Sequence, residues 1–365
     1  QNYPKCFKND IKNIKQNYSL VNEKEKKFRS KIESIINLSK NIDLCLKANV
    51  IDVDFYPDIN KINSLSVEDY KGFRKKIYSD KFVICCGGIE STRILLNWSE
   101  KYKQFNQIKK NLGYYYSPHI SLDFGTLITA PNQILNEGYI DINENISSVP
   151  FFSYEFSELE QNKFLNSKWM IAKASLAKIN KKLYLKYLLT GNKSLKQKTR
   201  KKFSKKENTI NQLMLDYLAV GNKKGDIYYL DVDFDQTPTR ESRIELIDEK
   251  DRFNMKKVNL NLHISKLDIE KIKNTTSAIA KLLVLNNVGR VKTEDIESLI
   301  NNTEIGRSHH TGTIRMASNE SFGCVDKNLK VFGVQNLWIC SSAVFPTPSH
   351  ANPTFTIMAL AKRLS

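Results

Sequence analysis

No run of about 18 apolar residues, the least a membrane-spanning helix needs, occurs in this 365-residue chain, and no transmembrane span is expected. A leader with a basic start, an apolar middle and a small-residue cleavage site is missing too, so the expected location is cytoplasmic. No two cysteines form a C-x-x-C pair: the six stand at 6, 45, 85, 86, 324 and 340. That argues against a zinc site and for buried free thiols in a reducing compartment. Cys85 and Cys86 lie in an apolar run and are expected in the core. Glycine is sparse, at 14 residues, and none of it is spaced G-x-G-x-x-G. This sequence therefore contains no strand–turn–helix of the type that cradles a pyrophosphate. The first residue is Gln1 and nothing resembling a natural start follows, so a piece of a longer protein is expected. Acidic residues are outnumbered, 39 against 57 basic, for a net charge of +18. The basic residues are spread over most of the chain. A nucleic-acid binder concentrates them on one face, and nucleic acid is not expected as a partner.

Hydrophobic residues make up 41% of the chain, enough for a substantial core. Residues 8 to 40 are polar and Lys-rich, with helical spacing in "KFRSKIESIINLSK". "IDLCLKANVIDVDFY" and "DKFVICCGG" read as strands from their length and β-branched content. The second runs into Gly87-Gly88 and then "IESTRILLNWSE", where Ile94, Leu95 and Trp98 have helical spacing. Strand, double glycine, helix is the order found where the strand ends of an α/β sheet face a ligand. From about 114 to 158 the chain is aromatic and reads as loop-rich; from 160 to 220 it reads as helical. The dense basic cluster at 181–206 lies there, as a solvated face or a contact for an anionic surface. "DIYYLDVDFDQ" and "SRIELIDE" read as strands, and "DIEKIKNTTSAIAKLLVLNN" as an amphipathic helix.

The last sixty or so residues carry the densest signal. "NLWICSSAV" reads as a buried strand, "FPTPSHANP" as a proline-punctuated loop and "TFTIMALAKRLS" as a terminal helix. Asn352 is expected as its N-cap and Pro353 as its first helical residue, positions these residue types prefer. A helix start offers unpaired N–H groups and partial positive charge, which suits an anion or a developing negative charge. Some forty residues upstream stands "HHTGTIRM", with two of the five histidines, His309 and His310, before a glycine turn. A strand, a loop and a helix end could bring His309 beside Asn352. Isolated histidines are usually structural, and His119, His263 and His350 are read that way. Arg315 is read as an ion-pair partner.

These segments together resemble the C-terminal portion of the glucose-methanol-choline (GMC) flavoprotein oxidoreductases. The family pattern is H-x-x-G-T, a V-D turn, a G-V-x-N-L strand entry, then P-T and A-N-P-T before the last helix. The matching residues are "HHTGT", Val325-Asp326, "GVQNLWICSSAVFPT" and "ANPTFTIMALA". "FVICCGGIESTRILL", "NLGYYYSPHI" and "DQTPTRESRIEL" resemble further family segments, so the likeness runs from about residue 41 to the end. Thr92 stands where many members have proline and Ser341 where many have Asp or Gly.

The resemblance implies an α/β chain, α+β overall. A partial Rossmann-type FAD-binding domain would span 1–112. A substrate domain with an antiparallel sheet and helices would span 113–305, and residues 306–365 would return to the FAD domain. It implies an alcohol or sugar oxidised at its CH–OH group, with hydride passing to flavin N5 and an unspecified electron acceptor. His309 aligns with the catalytic histidine, Asn352 with its partner, and His310 adjoins the substrate. Val50, Cys86, Gly87, Gly88, Ser341, Ser342, Asn352, Pro353 and Thr354 are the implied FAD contacts; no metal is implied. The glycine after the histidines would let the chain turn closely at the flavin. Two alternatives stay open: a non-catalytic remnant of such an enzyme, and a basic protein binding anionic polymers.

Overall fold

The computed structural model describes residues 7, 11, 14–22, 28–130, 135, 140–143, 146–173, 227–302, 306 and 308–365. The basic 181–206 cluster lies outside them. The described residues bury two separate hydrophobic cores.

The first core is built around a parallel strand pair, β5 (Phe82–Ile84) and β14 (Leu337–Ile339). Helix α2 (Gly87–Lys101) follows β5 and buries Ile94, Leu95 and Trp98, the residues at helical spacing. Trp98 packs against Phe105, with ring centroids 6.0 Å apart. Burying a side chain of this size stabilises by roughly 2–3 kcal/mol. A three-stranded antiparallel sheet, β2 (Asn49–Phe55), β3 (Ile62–Glu68) and β4 (Arg74–Tyr78), packs Val53 and Ile62 into the same core. Asn336, just before β14, fastens this sheet in place. Its Oδ1 accepts from the Ile62 amide at 2.8 Å, and its Nδ2 donates to the Ile62 and Asp80 carbonyls at 2.9 and 3.1 Å. A buried side-chain amide with its hydrogen-bonding groups satisfied behaves here like an extra peptide unit. The hairpin β11 (Arg243–Lys250) and β12 (Lys256–Asn261) lies along α2, and Met255 joins this core.

The second core lies under a seven-stranded antiparallel sheet in the order β1-β8-β9-β10-β6-β13, with β7 paired to β8. Its strands are β1 (Ile14–Asn22), β6 (Ile120–Thr129), β7 (Ile140–Asn143), β8 (Ile146–Tyr154), β9 (Ser167–Lys173), β10 (Ile227–Phe234) and β13 (Gly289–Thr293). Phe124, Phe152, Trp169, Tyr228 and Phe234 fill its buried face. Helix α4 (Lys266–Leu285) covers it through Ile272, Thr275, Thr276, Ile279 and Leu283, an i, i+3, i+4 stripe. Ser265 caps α4 by accepting from the Asp268 amide at 3.0 Å, a contact worth about 1 kcal/mol. Helix α5 (Ile296–Asn302) packs on β6. The remaining described helices are α1 (Phe28–Leu38), α3 (Phe156–Gln161) and the terminal α6 (Thr354–Leu364), with 3-10 turns at Lys103–Phe105 and Ser342–Val344.

Several readings of the sequence are corrected. The loop-rich stretch 114–158 holds β6, β7 and β8, and Phe124, Phe152 and Tyr154 there are core residues of a sheet. The helical reading from 160 fails at 167–173, which is β9. Of "IDLCLKANVIDVDFY" only Asn49–Phe55 is strand. No helix among the described residues is long and apolar enough to cross a membrane.

Candidate active site

The segment carrying His309 and His310 lies against the stretch that leads into β6. Ser117 donates its amide to the Thr311 carbonyl at 3.1 Å, and Gly113 to the Thr313 carbonyl at 2.8 Å. Gly312, with φ +91°, is the reason they come so close. A Cβ there would sit 2.0 Å from the Tyr115 carbonyl oxygen. The glycine therefore permits a close approach of backbone to backbone. Thr92 ties the same segment to α2, its hydroxyl donating to the Gly88 carbonyl at 2.7 Å and lying 2.7 Å from Thr313 Oγ1. Gly88 completes the contact, since a Cβ there would meet the His310 carbonyl oxygen at 2.3 Å.

His309 has φ 59°, a left-handed conformation that costs a non-glycine residue about 1–3 kcal/mol. It sends two consecutive rings to different neighbours. The His310 Nδ1 lies 2.8 Å from the Tyr116 hydroxyl, and its ring stacks on that tyrosine. His309 Nδ1 lies 3.0 Å from His119 Nδ1, the rings edge to face.

Beyond His309 stands a group that sequence reasoning missed. Lys168 of β9 and Asp233 of β10 are register partners, and their Nζ–Oδ2 distance is 3.1 Å. The Lys168 side chain is only 10% exposed, so its ammonium is largely removed from water. It also donates to Asn352 Oδ1 at 3.3 Å. Lys168 is thus the common neighbour of Asn352, His309, His119 and His350. His119 and His350, read as structural, stand in this cluster with the two histidines of the motif.

Burial sets the charge state of the site. It lowers the His309 pKa, with the Lys168 cation adding to the effect and Asp233 opposing it. His350 is lowered in the same way, again by burial first and Lys168 second. His310 is lowered by burial and then by His309. His119, wholly enclosed, is pushed down to about 4 by burial and next by His309. At neutral pH all four rings are neutral, each with one nitrogen that can accept a proton.

The start of α6 differs from expectation. Pro353 is the cap residue, and its carbonyl accepts the first helical bond from Ile357 at 2.9 Å. Asn352 lies one residue earlier and makes no capping bond, because Lys168 takes its side-chain oxygen. Its Nδ2 donor is left for another partner. The start of α2 likewise has no side-chain cap. Cys85 follows β5 and pairs with Cys340 after β14, and Cys340 Sγ lies 3.9 Å from the Ile357 carbonyl of α6. Cys85 and Cys86 are exposed there, against the expectation that both lie in the core. Partial desolvation of its sulfur by the surrounding chain, then Cys340 and Cys86, push the Cys85 thiol up to about 11, so it is no thiolate at neutral pH.

Of the other sequence-derived residues, Gly87 has φ +73° and faces open space, and Thr354 is exposed. Ser341 and Ser342 are occupied internally, one accepting from the Ala343 amide at 3.3 Å and the other donating to the His310 carbonyl at 2.6 Å. Val50 sits in β2, opposite Val67, on the first core. Arg315 is not seen in an ion pair among the described residues; it lies over the Tyr115 ring at 4.3 Å. Lys168 and Asp233 left no motif in the sequence, since only strand register brings them here; Tyr116 lies in the quoted segment "NLGYYYSPHI" but is not singled out there.

Residues 238–361 match the family model of GMC oxidoreductase. Over that segment, about a third of the chain, it is similar to the C-terminal portion of the GMC oxidoreductases. Dehydrogenase str4 of Strobilurus tenacellus is 32% identical over 77 residues, 21% of this chain and 12% of that protein. Two solved structures share the GMC fold with it. The R554A formate oxidase of Aspergillus oryzae RIB40, studied for its effect on FAD modification, has a TM-score of 0.53 at 14% identity. That match covers 90% of this chain and 61% of the other. Pyridoxine 4-oxidase from Mesorbium loti has a TM-score of 0.50 at 14% identity, over 87% of this chain and 56% of the other. The chain spans little more than half the length of these structures.

Proposed function

We propose that the enzyme to which this chain belongs is an FAD-dependent oxidoreductase that oxidises the CH–OH group of an alcohol or sugar. The observation that carries the reading is the Lys168-centred cluster, which brings Lys168 of β9 to Asn352 and the His309 ring, two residues of the segment matched by the GMC model. The residues present fit an FAD on one side. Two helix starts without side-chain caps, that of α2 just after β5 and that of α6, favour an anionic group. A side chain at Gly88 would close the space against His310. Gly87, Gly88, Cys86, Pro353 and Thr354 would hold it, with Val50 toward its adenine end. Ser341 and Ser342 would shape the site through their backbone, because both side chains are already engaged.

Bound FAD supplies the two-electron acceptor. The rest of the chemistry belongs to the chain. Asn352 gives its oxygen to Lys168 and so turns its amide donor toward the substrate oxygen. The neutral His309 ring takes the hydroxyl proton as the C–H bond is broken. Negative charge growing on the substrate oxygen is met by the Asn352 donor and by the Lys168 ammonium in a site of low dielectric. His310 is held away on Tyr116. In the flavin-loaded enzyme, His309→Ala should slow substrate-driven flavin reduction by roughly 10²–10⁴-fold, the usual share of a general base. His310→Ala should do much less. A greater loss from His310→Ala in stopped-flow reduction would overturn the assignment.

A further inference from the structure

Cys85 and Cys340 stand just beyond the ends of the two parallel strands. The register pairs Phe82 with Leu337, Val83 with Trp338 and Ile84 with Ile339. One further step sets Cys85 opposite Cys340. The ladder takes that step, because the Cys340 amide donates to the Ile84 carbonyl at 2.9 Å. Neighbouring strands run about 4.7–4.9 Å apart, and residues opposite each other point to the same face. A disulfide needs Cα atoms about 4.4–6.8 Å apart and side chains that point toward one another. The strand spacing lies inside that range, and the Cys85 thiol already donates to the Cys340 sulfur.

The two thiols differ in what can reach them. Cys85 is exposed, on the side of the strand that carries Val83, which is 48% exposed. Cys340 is buried, and its sulfur also faces the Ile357 carbonyl of α6 at 3.9 Å. An unpaired cysteine is among the most buried residue types and normally serves as a small core hydrophobe. Cys324 fits that description, wholly enclosed in the first core. An exposed thiol in contact with a buried one does not. Cys86 is exposed too, but at φ −88° and ψ 23° it has left the strand for the turn before α2.

We propose that Cys85 and Cys340 form a thiol pair that a small disulfide oxidant, of the oxidised-glutathione class, converts into an intramolecular disulfide stapling β5 to β14. The exposed Cys85 gives its proton to solvent and attacks one sulfur of the oxidant. The S–S bond of the oxidant breaks, and half of it leaves as a thiolate that takes up a proton. Cys340 then loses its own proton, attacks the Cys85 sulfur and expels the other half in the same way. Two protein thiols are oxidised, and one external disulfide is reduced to two thiols. Cys340 needs no path to solvent, since its partner sulfur already touches it. The surroundings that raise the Cys85 pKa slow the first attack at neutral pH. They also make Cys85 a poor leaving group, so the finished bridge resists reduction. The bridge joins positions 255 apart by their numbers, where the chain turns into Gly87 and Ser341.

The test maps the bridge. The folded chain is incubated with oxidised glutathione in mildly alkaline buffer, then unfolded, alkylated and digested with trypsin without reductant. Cys85 and Cys86 fall in the peptide 82–93, and Cys340 in the peptide 331–362. The expected product is these two peptides joined, with the alkyl group on Cys86. Cys86→Ser should leave the bridge in place. Cys85→Ser should abolish it and leave Cys340 a free thiol. A bridge through Cys86 overturns the proposal. So does a Cys85 that keeps glutathione while Cys340 stays free, and so do two thiols that both remain reduced.

A urea-unfolded chain treated alike should scatter its pairings, and an equal scatter from the folded chain overturns the pair. The bridged wild type should show its urea midpoint shifted upward. Dithiothreitol should reverse the shift, and Cys85→Ser should lack it. A midpoint that does not rise in the bridged chain overturns the staple.

Discussion

Mild acid should weaken this fold through its histidines, and the wholly enclosed His119 allows the size to be worked out. An unfolded histidine titrates near 6.5, while burial and the neighbouring His309 hold the folded His119 at about 4. The folded pKa is the lower one. Between the two values the unfolded chain therefore binds more protons, and stability falls as pH falls. The contribution is fully present above 6.5 and is lost progressively down to about 4. From pH 7.5 to 5.5 this residue alone should remove about 1.3 kcal/mol. His309, His310 and His350 are lowered as well, so the wild-type loss should exceed that figure. The assay is urea unfolding at both pH values, with unchanged slope as the check on two-state behaviour. His119→Asn cannot titrate here and should lose less than the wild type, by about 1.3 kcal/mol. Equal losses in the two proteins would refute a depressed His119.

Lys168→Met should cost about 3–5 kcal/mol in urea unfolding by stranding Asp233, while Lys168→Met with Asp233→Leu should recover most of it. Gly312→Ala should destabilise by more than about 2 kcal/mol, since left-handed strain adds to a clash with the Tyr115 carbonyl. Gly72→Ala shares the positive φ but meets nothing within 4 Å, so its smaller loss isolates the clash. Asn352→Asp places a carboxylate against Lys168 and should raise the His309 pKa, read from its ring resonances during a pH titration.

The first core was largely legible. Phe82 to Trp98 announces itself as strand, glycine pair and helix because each element keeps its own period and a glycine marks the change. The 309–316 and 337–364 segments were legible for the same reason, with proline and glycine as punctuation. The second sheet was much less so. Ile14–Asn22 is a polar run that becomes a strand only by pairing along β8, and no apolar alternation marks it. Ser167–Lys173 was swallowed by a helical reading of its surroundings, and tertiary pairing with β10 decided otherwise. The Lys168–Asp233 pair shows the limit most clearly. The two residues stand 65 positions apart by their numbers, and which residue faces which depends on a register that sequence alone does not state. The cap at Asn352 failed for a related reason: a lysine from that distant strand took the oxygen a helix start would have used.

Asn336 has a consequence for the order in which this molecule can be made. The peptide edge at Ile62 finds its partner 274 positions later. Closing so long a loop from a disordered chain costs about 5 kcal/mol of entropy. A ribosome adding about 5–20 residues per second needs roughly 15–55 s to reach that asparagine. Through that interval the β2–β4 sheet has neither Asn336 nor β14 to hold it. The strands from Ile120 to Thr293, by contrast, find their neighbours within the nascent segment itself and can fold first, which draws the ends of the long loop together. The second core is then the scaffold on which the first is finished, and His309 and Asn352 emerge only after its strands. A chaperone guarding the young sheet edge would have its moment there, before residue 336 leaves the exit tunnel.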